Sequence, residues 1–263
     1  MIMSLKLNGA KYSINTERGY DISIPLQFNG PQPNFFGVDP AKANPYESGS
    51  IIGDTKKGGS CNFETVHFTP QCSGTHTECV GHIVDQDVHI SDLEIEPFIP
   101  AVLLSFEPLM DSETTDKFID AEILEKSMSH VSQVFLKAVI IRTIPNSPEK
   151  ITRTYKENEI PPYLTEDAVQ YLLEKGTEHL LVDVPSVDRA YDDGKLAAHH
   201  LFWDIPAGSH QLGDSEFSKR TITELIFVPD DVEDGEYILN LQTAHFKSDA
   251  APSRPILYEV TQI

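Results

Sequence analysis

Apolar residues along the chain follow patterns that predict many strands. Residues 20–27 alternate Ile22, Ile24 and Leu26 with polar side chains, as in a half-buried strand. The run of residues 134–142 is rich in β-branched side chains and predicts a buried strand. Further strands are predicted over residues 64–69, 100–106, 179–184, 224–228, 236–245 and 256–260.

Two segments carry helical signals instead. Asp120 is a suitable N-cap for a helix with apolar residues near helical spacing, and Thr165 begins a second helix. Because the second helix joins two predicted strands, those strands should be parallel with a right-handed crossover. Many strands with few, dispersed helices favour an α/β fold in one domain, residues 1–263, with a mixed β-sheet and few peripheral helices.

The segment 29–60 is the least regular part of the chain. It holds four prolines, a glycine-rich end and the aromatic pair Phe35 and Phe36. Long irregular segments are usually functional loops or mobile ones. We expect a loop or arm within the single domain.

Composition and charge narrow the choice of partners. The 263 residues include 41 acidic and 20 basic ones, for a net charge of −21. Such a chain repels phosphate backbones and anionic lipids, so we expect neither nucleic acid nor a membrane as partner. No apolar run approaches a membrane span, the first 20 residues lack a secretory pattern, and three cysteines argue against a disulfide framework. We therefore expect a cytoplasmic enzyme that acts on a small molecule.

The candidate chemistry is concentrated in residues 71–82. Here Cys72, His76, Glu78 and His82 offer the sulfur, nitrogen and oxygen donors that zinc and its neighbours accept. In a fully extended chain, Cys72 and His76 would lie about 13 Å apart, too far to share one ion. If both bind the same metal, the chain must bend between them, and the glycine between them is a suitable place.

This stretch resembles a known signature. Gly74-Thr75-His76, followed by Glu78 and His82, is similar to the His-x-Gly-Thr-His-x-Asp-x-Pro-x-His motif of the cyclase-like metal hydrolases, which include bacterial kynurenine formamidases and isatin hydrolases. The chain departs from the motif at three positions. Cys72 replaces the first histidine, Glu78 the aspartate and Val80 the proline.

A second block strengthens the resemblance. Residues 183–188 read Asp-x-Pro-Ser-x-Asp, and the pair His199-His200 and then Glu224 follow in the order seen in that family. The resemblance extends from Tyr20 to the C-terminus. Residues 205–221 form a longer connection than the family usually has between the histidine pair and the glutamate.

The resemblance implies a swivelling β/β/α fold and a set of site residues. Cys72, His76 and Glu78 would bind a first ion, and Glu78 would bridge to a second ion held by His199 and Glu224, with His200 as the alternative to His199. The remaining implied roles fall on three residues, with His82 as the catalytic histidine and Phe35 or Phe36 against the substrate ring. The implied assembly is a homodimer or homotetramer.

The departures bear on the metal. A thiolate at Cys72 favours zinc, with manganese possible, over calcium or magnesium, and one or two ions fit the pattern. Glu78 keeps the carboxylate on a longer stem. Together these changes mark a compensated site, a changed metal or substrate, or a site that no longer binds metal.

Three functions follow as hypotheses. The first is an arylformamidase-like hydrolase of an amide C–N bond, in which metal-activated water attacks the carbonyl and His82 carries the proton to the leaving nitrogen. The second is an isatin-type hydrolase that opens a cyclic amide or lactone. The third is a non-catalytic binding protein whose metal site is degraded.

Overall fold

The computed structural model describes residues 1–157, 159–213 and 216–263. Four α-helices and sixteen strands are described there. The helices are α1 (Pro70–Ser73), α2 (Ala121–Met128), α3 (Glu166–Glu174) and α4 (Ala197–Phe202). The strands are β1 (Ile2–Leu7), β2 (Ala10–Asp21), β3 (Lys42–Pro45), β4 (Glu47–Ser48), β5 (Ile51–Ile52), β6 (Glu64–His67), β7 (His76–Glu78), β8 (Ile99–Phe106), β9 (Leu109–Met110), β10 (Lys117–Ile119), β11 (Ala138–Thr143), β12 (Tyr163–Leu164), β13 (His179–Val182), β14 (Thr221–Glu224), β15 (Gly235–Thr243) and β16 (Ala250–Gln262).

Nine strands form one mixed sheet in the order β1-β2-β16-β15-β8-β11-β13-β14-β7. The four strands β8, β11, β13 and β14 are parallel to their neighbours within this group, and the remaining pairings are antiparallel. The first residues of β16 also pair with β7, which closes seven of the strands into a ring. The predicted α/β fold with a mixed sheet and few helices is therefore confirmed, in a barrel-like form.

Both faces of the parallel strands are buried, which explains their continuous apolar sequences. Val139 and Ile141 of β11 belong to a core cluster that also contains Leu124 of α2 and Leu172 of α3. Ile140, which lies between them, belongs to a second cluster on the opposite face. The two helices thus cover one side of the sheet.

Several predicted elements agree with the structure. The run 100–106 lies in β8, and residues 179–182 form β13, parallel to β11. Asp120 caps α2 by accepting a hydrogen bond from the backbone of Ile123 at 3.0 Å. Thr165 is the N-cap residue of α3.

Three predicted strands have the wrong bounds. Residues 133–137 form a 3-10 helix, in which Phe135 is fully buried although its backbone is not extended. The strand predicted over 134–142 therefore begins only at residue 138. The strand predicted over 20–27 stops at Asp21 in the structure, four residues before a proline, although Ile22 beyond it is fully buried. Burial accounts for the apolar pattern in both places.

The third error bears on the site. The strand predicted over 224–228 is displaced, because β14 ends at Glu224 instead of beginning there. Leu225 has φ of 53°, a left-handed conformation that ends the extended chain. Glu224 therefore lies at the carboxyl end of a parallel strand.

The irregular segment 29–60 contains the short strands β3, β4 and β5 and one 3-10 turn, Thr55–Lys57. β3 pairs with β6, outside the main sheet. The sequence patterns did not predict the hairpin of β1 and β2, which precedes this segment.

The predicted bounds of a single domain, residues 1–263, stay a prediction. Among the described residues, no helix is long and apolar enough to cross a membrane.

Candidate metal centre

The antiparallel pairing of β7 with β14 brings two buried carboxylates and one imidazole together. His76 lies opposite Glu224 in the register, and Glu78, two residues along β7, shares the face of His76. Nε2 of His76 is 3.2 Å from Oε1 of Glu78 and 3.5 Å from Oε2 of Glu224. All three side chains are at most 4% exposed.

Helix α4 adds a second imidazole. Nε2 of His199 lies 3.3 Å from Oε2 of Glu78 and 3.8 Å from Oε1 of Glu224. The sequence leaves His199 and His200 open as alternatives. The two residues lie in a short helix, and His199 is the one that reaches the carboxylates.

A third imidazole, that of His82, lies at the rim. It ends a 3-10 turn of residues 80–82 that follows β7, and its Nε2 is 3.8 Å from Oε1 of Glu78. Its side chain is 26% exposed, whereas His76 and His199 are enclosed. His82 is therefore the imidazole of this group that solvent or a ligand can reach.

Each imidazole is held through Nδ1 by an acceptor. Nδ1 of His76 lies 2.9 Å from the carbonyl of Gly74, Nδ1 of His82 lies 2.8 Å from Oδ2 of Asp249, and Nδ1 of His199 contacts the carboxylate of Asp188. Carbonyl and ionised carboxyl oxygens only accept hydrogen bonds, so Nδ1 carries the proton in each ring. Nε2 of each ring then faces the carboxylates of Glu78 and Glu224, to which it donates when the ring is protonated, and it is the atom that a neutral ring would offer to a metal ion. Histidines that bind metals are oriented in this way.

The donor atoms form two overlapping groups. His76, Glu78 and Glu224 make one, and Glu78, His82 and His199 make the other, with the donor atoms of each group within 4.8 Å of one another. Glu78 belongs to both groups, so its two oxygens can serve two ions. The set of nitrogen and carboxylate donors fits zinc or manganese.

The electrostatics of the group favour a positive charge. Burial opposes protonation of His76, yet the carboxylates of Glu224 and Glu78 raise its pKa to about 10. Burial, together with the negative charge of Glu78, raises the pKa of Glu224. Two buried carboxylates side by side require compensation, which a cation between them would supply.

Comparison with known proteins identifies the family. The family model described as putative cyclase matches residues 20–189, which is more than half of the chain. The chain belongs to the cyclase family.

Curated relatives and solved structures agree with this assignment. A kynurenine formamidase of Bacillus thuringiensis (strain Al Hakam) is 30% identical over 190 residues, covering 70% of this chain and 75% of the relative. One of Bacillus cereus (strain ATCC 14579) is 26% identical over 252 residues, covering 93% and 99%. The chain is therefore a cyclase-family hydrolase.

Two solved structures show the same fold. A potential metal-dependent hydrolase with cyclase activity has a TM-score of 0.63 at 15% identity, covering 92% of this chain and 97% of its own. An isatin hydrolase bound to thioisatinate has a TM-score of 0.61 at 16% identity, with 93% of each chain covered.

Cys72, which stands at the first histidine of the cyclase-family motif, lies near the two candidate metal-ligand groups but in neither of them. Burial, followed by the nearby charges of Glu224 and Glu78, raises the pKa of its thiol to about 11. The predicted bend comes from α1, which contains Cys72, and Gly74 is extended with φ of 177°. The glycine is therefore not what turns the chain.

The two predicted substrate-binding aromatics differ in exposure. Phe35 is 3% exposed and packs in a cluster with Cys72 and Tyr155. Phe36 is 56% exposed, and its ring lies 5.7 Å from that of Tyr191. Phe36 is the one of the pair that a ligand can contact.

Two acidic residues that hold the histidines were not predicted. Asp188 belongs to the Asp-x-Pro-Ser-x-Asp block, and besides contacting His199 it accepts a hydrogen bond from the backbone of Ala198 at 2.6 Å. Asp249, the partner of His82, directly precedes β16 and carries no local signal. The motif block could have pointed to Asp188, whereas no sequence signal points to Asp249.

The loop that carries Asp188 is fixed at both ends. At its start, the buried carboxylate of Asp183 accepts hydrogen bonds from Nζ of Lys150 at 2.7 Å and from the backbone of Thr143 at 2.9 Å. Near its end, the backbone of Val187 donates to Oε1 of Glu224 at 2.8 Å. The loop therefore positions the side chains of both Glu224 and His199.

We expect Asp188→Asn to weaken metal binding by about 10- to 100-fold, the usual effect of removing a carboxylate that orients a metal-binding histidine. The amide can present its NH2 group to Nδ1 of His199 and thereby favour the wrong tautomer. Titration of zinc against a competing chelator measures the change. Asp193→Asn, at an exposed position of the same region, is the matched control. Equal zinc affinity for all three proteins would contradict the role of Asp188.

Proposed function

We propose that this chain is a metal-dependent hydrolase of an aryl amide C–N bond, with N-formylkynurenine as first candidate substrate and kynurenine and formate as products. One observation carries the metal dependence: three imidazoles held through Nδ1 turn their Nε2 atoms towards two buried carboxylates. The kynurenine formamidases among the relatives support the substrate class.

Zinc is the proposed metal, with manganese possible, as one or two ions. His76, Glu78 and Glu224 would hold one ion, Glu78 would share the second with His199, and Cys72 is retained as a candidate donor to the first. When bound, such an ion acts as a Lewis acid and lowers the pKa of water. The matched Nε2 and carboxylate donors are the reason to expect this fit.

His82 is the proposed proton carrier. It is the exposed imidazole of the group, and Asp249 fixes the ring so that Nε2 is free towards Glu78 and the solvent side. Burial opposes protonation of His82, but the charges of Glu78 and Asp249 raise its pKa above the usual value. A protonated imidazole at this position can deliver its proton to the departing amine.

The proposed small-molecule substrate would contact the exposed ring of Phe36. The ring stands 56% exposed beside Tyr191, as an aromatic contact for an aryl group requires. An assembly of two or four copies and a cytoplasmic location remain part of the proposal.

A second candidate is the opening of a cyclic amide, as in isatin. Isatin also presents an aryl amide carbonyl, and the solved isatin hydrolases share this fold. Assays of the purified, zinc-loaded protein with N-formylkynurenine and isatin side by side separate the two. We expect a higher kcat/KM for N-formylkynurenine. A higher value for isatin would replace the first candidate by the second.

The metal content of the purified protein separates the proposed hydrolase from the third hypothesis, a non-catalytic binding protein whose metal site is degraded. We expect zinc or manganese in the purified protein by elemental analysis, and a rise in Tm when either metal is added to the chelated protein. A protein that binds neither metal and hydrolyses neither substrate would support the non-catalytic hypothesis.

His82→Ala should lower kcat by about 100- to 10,000-fold, the range for loss of a general acid or base. The ion of the first donor group should be retained, because His76, Glu78 and Glu224 remain. Steady-state kinetics and elemental analysis of the same preparation measure both effects. His130→Ala, at an exposed position far from any motif, is the control. Full turnover in His82→Ala would assign the proton transfer to another group.

Replacement of zinc by cobalt tests Cys72. If its thiolate binds the ion, the cobalt protein should show a sulfur-to-cobalt charge-transfer absorption in the near ultraviolet, and Cys72→Ser should lose it. Coordination by the metal would keep the thiol deprotonated despite its raised pKa of about 11. Cys79→Ser, which changes a buried thiol outside both donor groups, is the control. A wild-type cobalt spectrum without this absorption would remove Cys72 from the ligand set.

A further inference from the structure

A cleft of about 600 Å3 lies beside α4, on residues that the proposed hydrolysis does not use. Its walls include His200 and Leu201 of α4, followed by Ile205 and Ala207. This volume is within the range of small-molecule sites. Ile205 and Ala207 belong to the connection of residues 205–221, which the family resemblance implies is longer than usual.

His200 is a buried imidazole without a partner. The residue is 3% exposed, and its Nδ1 is enclosed and makes no hydrogen bond within the described parts of the chain. A neutral imidazole has one donor and one acceptor nitrogen, and a buried donor or acceptor left unpaired costs stability. The other nitrogen, Nε2, is not among the enclosed unpaired atoms, and His200 lines the cleft. A ligand in the cleft is therefore the partner that we consider for Nε2.

The wall formed by residues 205–208 is held in place by backbone hydrogen bonds. The backbone of Ile205 donates to the carbonyl of His200 at 2.9 Å, and the backbone of Ser209 donates to that of Pro206 at 2.9 Å. Beyond this turn, Nδ1 of His210 lies 2.8 Å from the carbonyl of Ile83. The wall is thus connected both to α4 and to the residue after His82.

The lining of the cleft indicates the class of ligand. Leu201, Ile205 and Ala207 offer apolar contacts, which suit an apolar body. The charged lining residues are Glu166, Lys195 and Asp204, with a net charge of −1. The negative net charge of the lining disfavours binding of an anion in the cleft. Because an enclosed N–H without an acceptor costs more than an enclosed lone pair, we place the proton of His200 on Nε2. A cationic head group, which only donates hydrogen bonds, cannot pair with that N–H.

We propose that this cleft binds a small uncharged molecule with an apolar body and a carbonyl oxygen, which accepts a hydrogen bond from Nε2 of His200. The site is separate from the donor groups of the metal centre. Its ligand would pack against the helix that carries His199.

A binding experiment with three matched probes tests this site. Cyclohexanecarboxamide is uncharged, cyclohexanecarboxylate is an anion and cyclohexylmethylamine is a cation at neutral pH, and all three have the same ring. Trp203, the single tryptophan, directly follows α4, so its fluorescence reports on this helix. We expect saturable binding of the carboxamide with a millimolar Kd, at least fivefold tighter than that of either charged probe.

Two variants locate the binding. His200→Phe keeps an aromatic ring but removes the donor, and should raise the Kd for the carboxamide at least fivefold. Ala207→Phe, at an exposed position of the wall, should fill the cleft and abolish saturation. His245→Phe, the same substitution at an exposed histidine elsewhere, should leave the Kd unchanged.

The outcomes are separable from those for hydrolysis, because the readout is binding alone. Unchanged affinity in either cleft variant, or equal affinity for the three probes, would overturn the proposal. If His200→Phe fails to fold, as judged by circular dichroism, Ala207→Phe still decides. Binding of the carboxamide at the metal centre instead would leave Ala207→Phe with wild-type affinity.

Discussion

The burial of two neighbouring carboxylates, Glu78 and Glu224, is the constraint on which the rest of the site depends. Two negative charges removed from water need compensation by hydrogen bonds, protonation or a cation. The surrounding elements are arranged for this purpose: β7 and β14 bring the carboxylates together, and α4 adds His199. The acceptors at each Nδ1 keep the Nε2 atoms turned inwards. Mutual compensation between these carboxylates and imidazoles explains how several titratable side chains can be buried beside an apolar sheet.

Local sequence predicted that the candidate site residues which are close together in the chain would also lie together in space. His76, Glu78 and His82 lie within seven residues, and their types and spacing predicted a metal-binding stretch. His199 and Glu224 came only from the order of a second motif block. Asp249 was missed, because its contact with His82 joins residues 167 positions apart and leaves no periodic pattern. Contacts of this kind require knowledge of the strand order.

Apolar pattern predicted burial better than it predicted conformation. Phe135 is as buried as a residue of a central strand, yet it lies in a 3-10 helix. The strand before Leu225 ends where a positive φ turns the chain, and no hydrophobic pattern encodes that angle. A helix of six residues such as α4 is too short to show its period, so the sequence patterns did not predict it. The parallel strands β8 and β13 were located well because both their faces are buried.

Strand β16 links the candidate metal centre to the closure of the sheet. Its first residues pair with β7, which carries His76 and Glu78, and Asp249 immediately precedes it. The same strand pairs further along with β15 and β2. An ion held by β7, β14 and α4 would therefore act as a cross-link between segments that are distant in the chain. Metal binding and ring closure are then linked equilibria, so that either process makes the other more favourable.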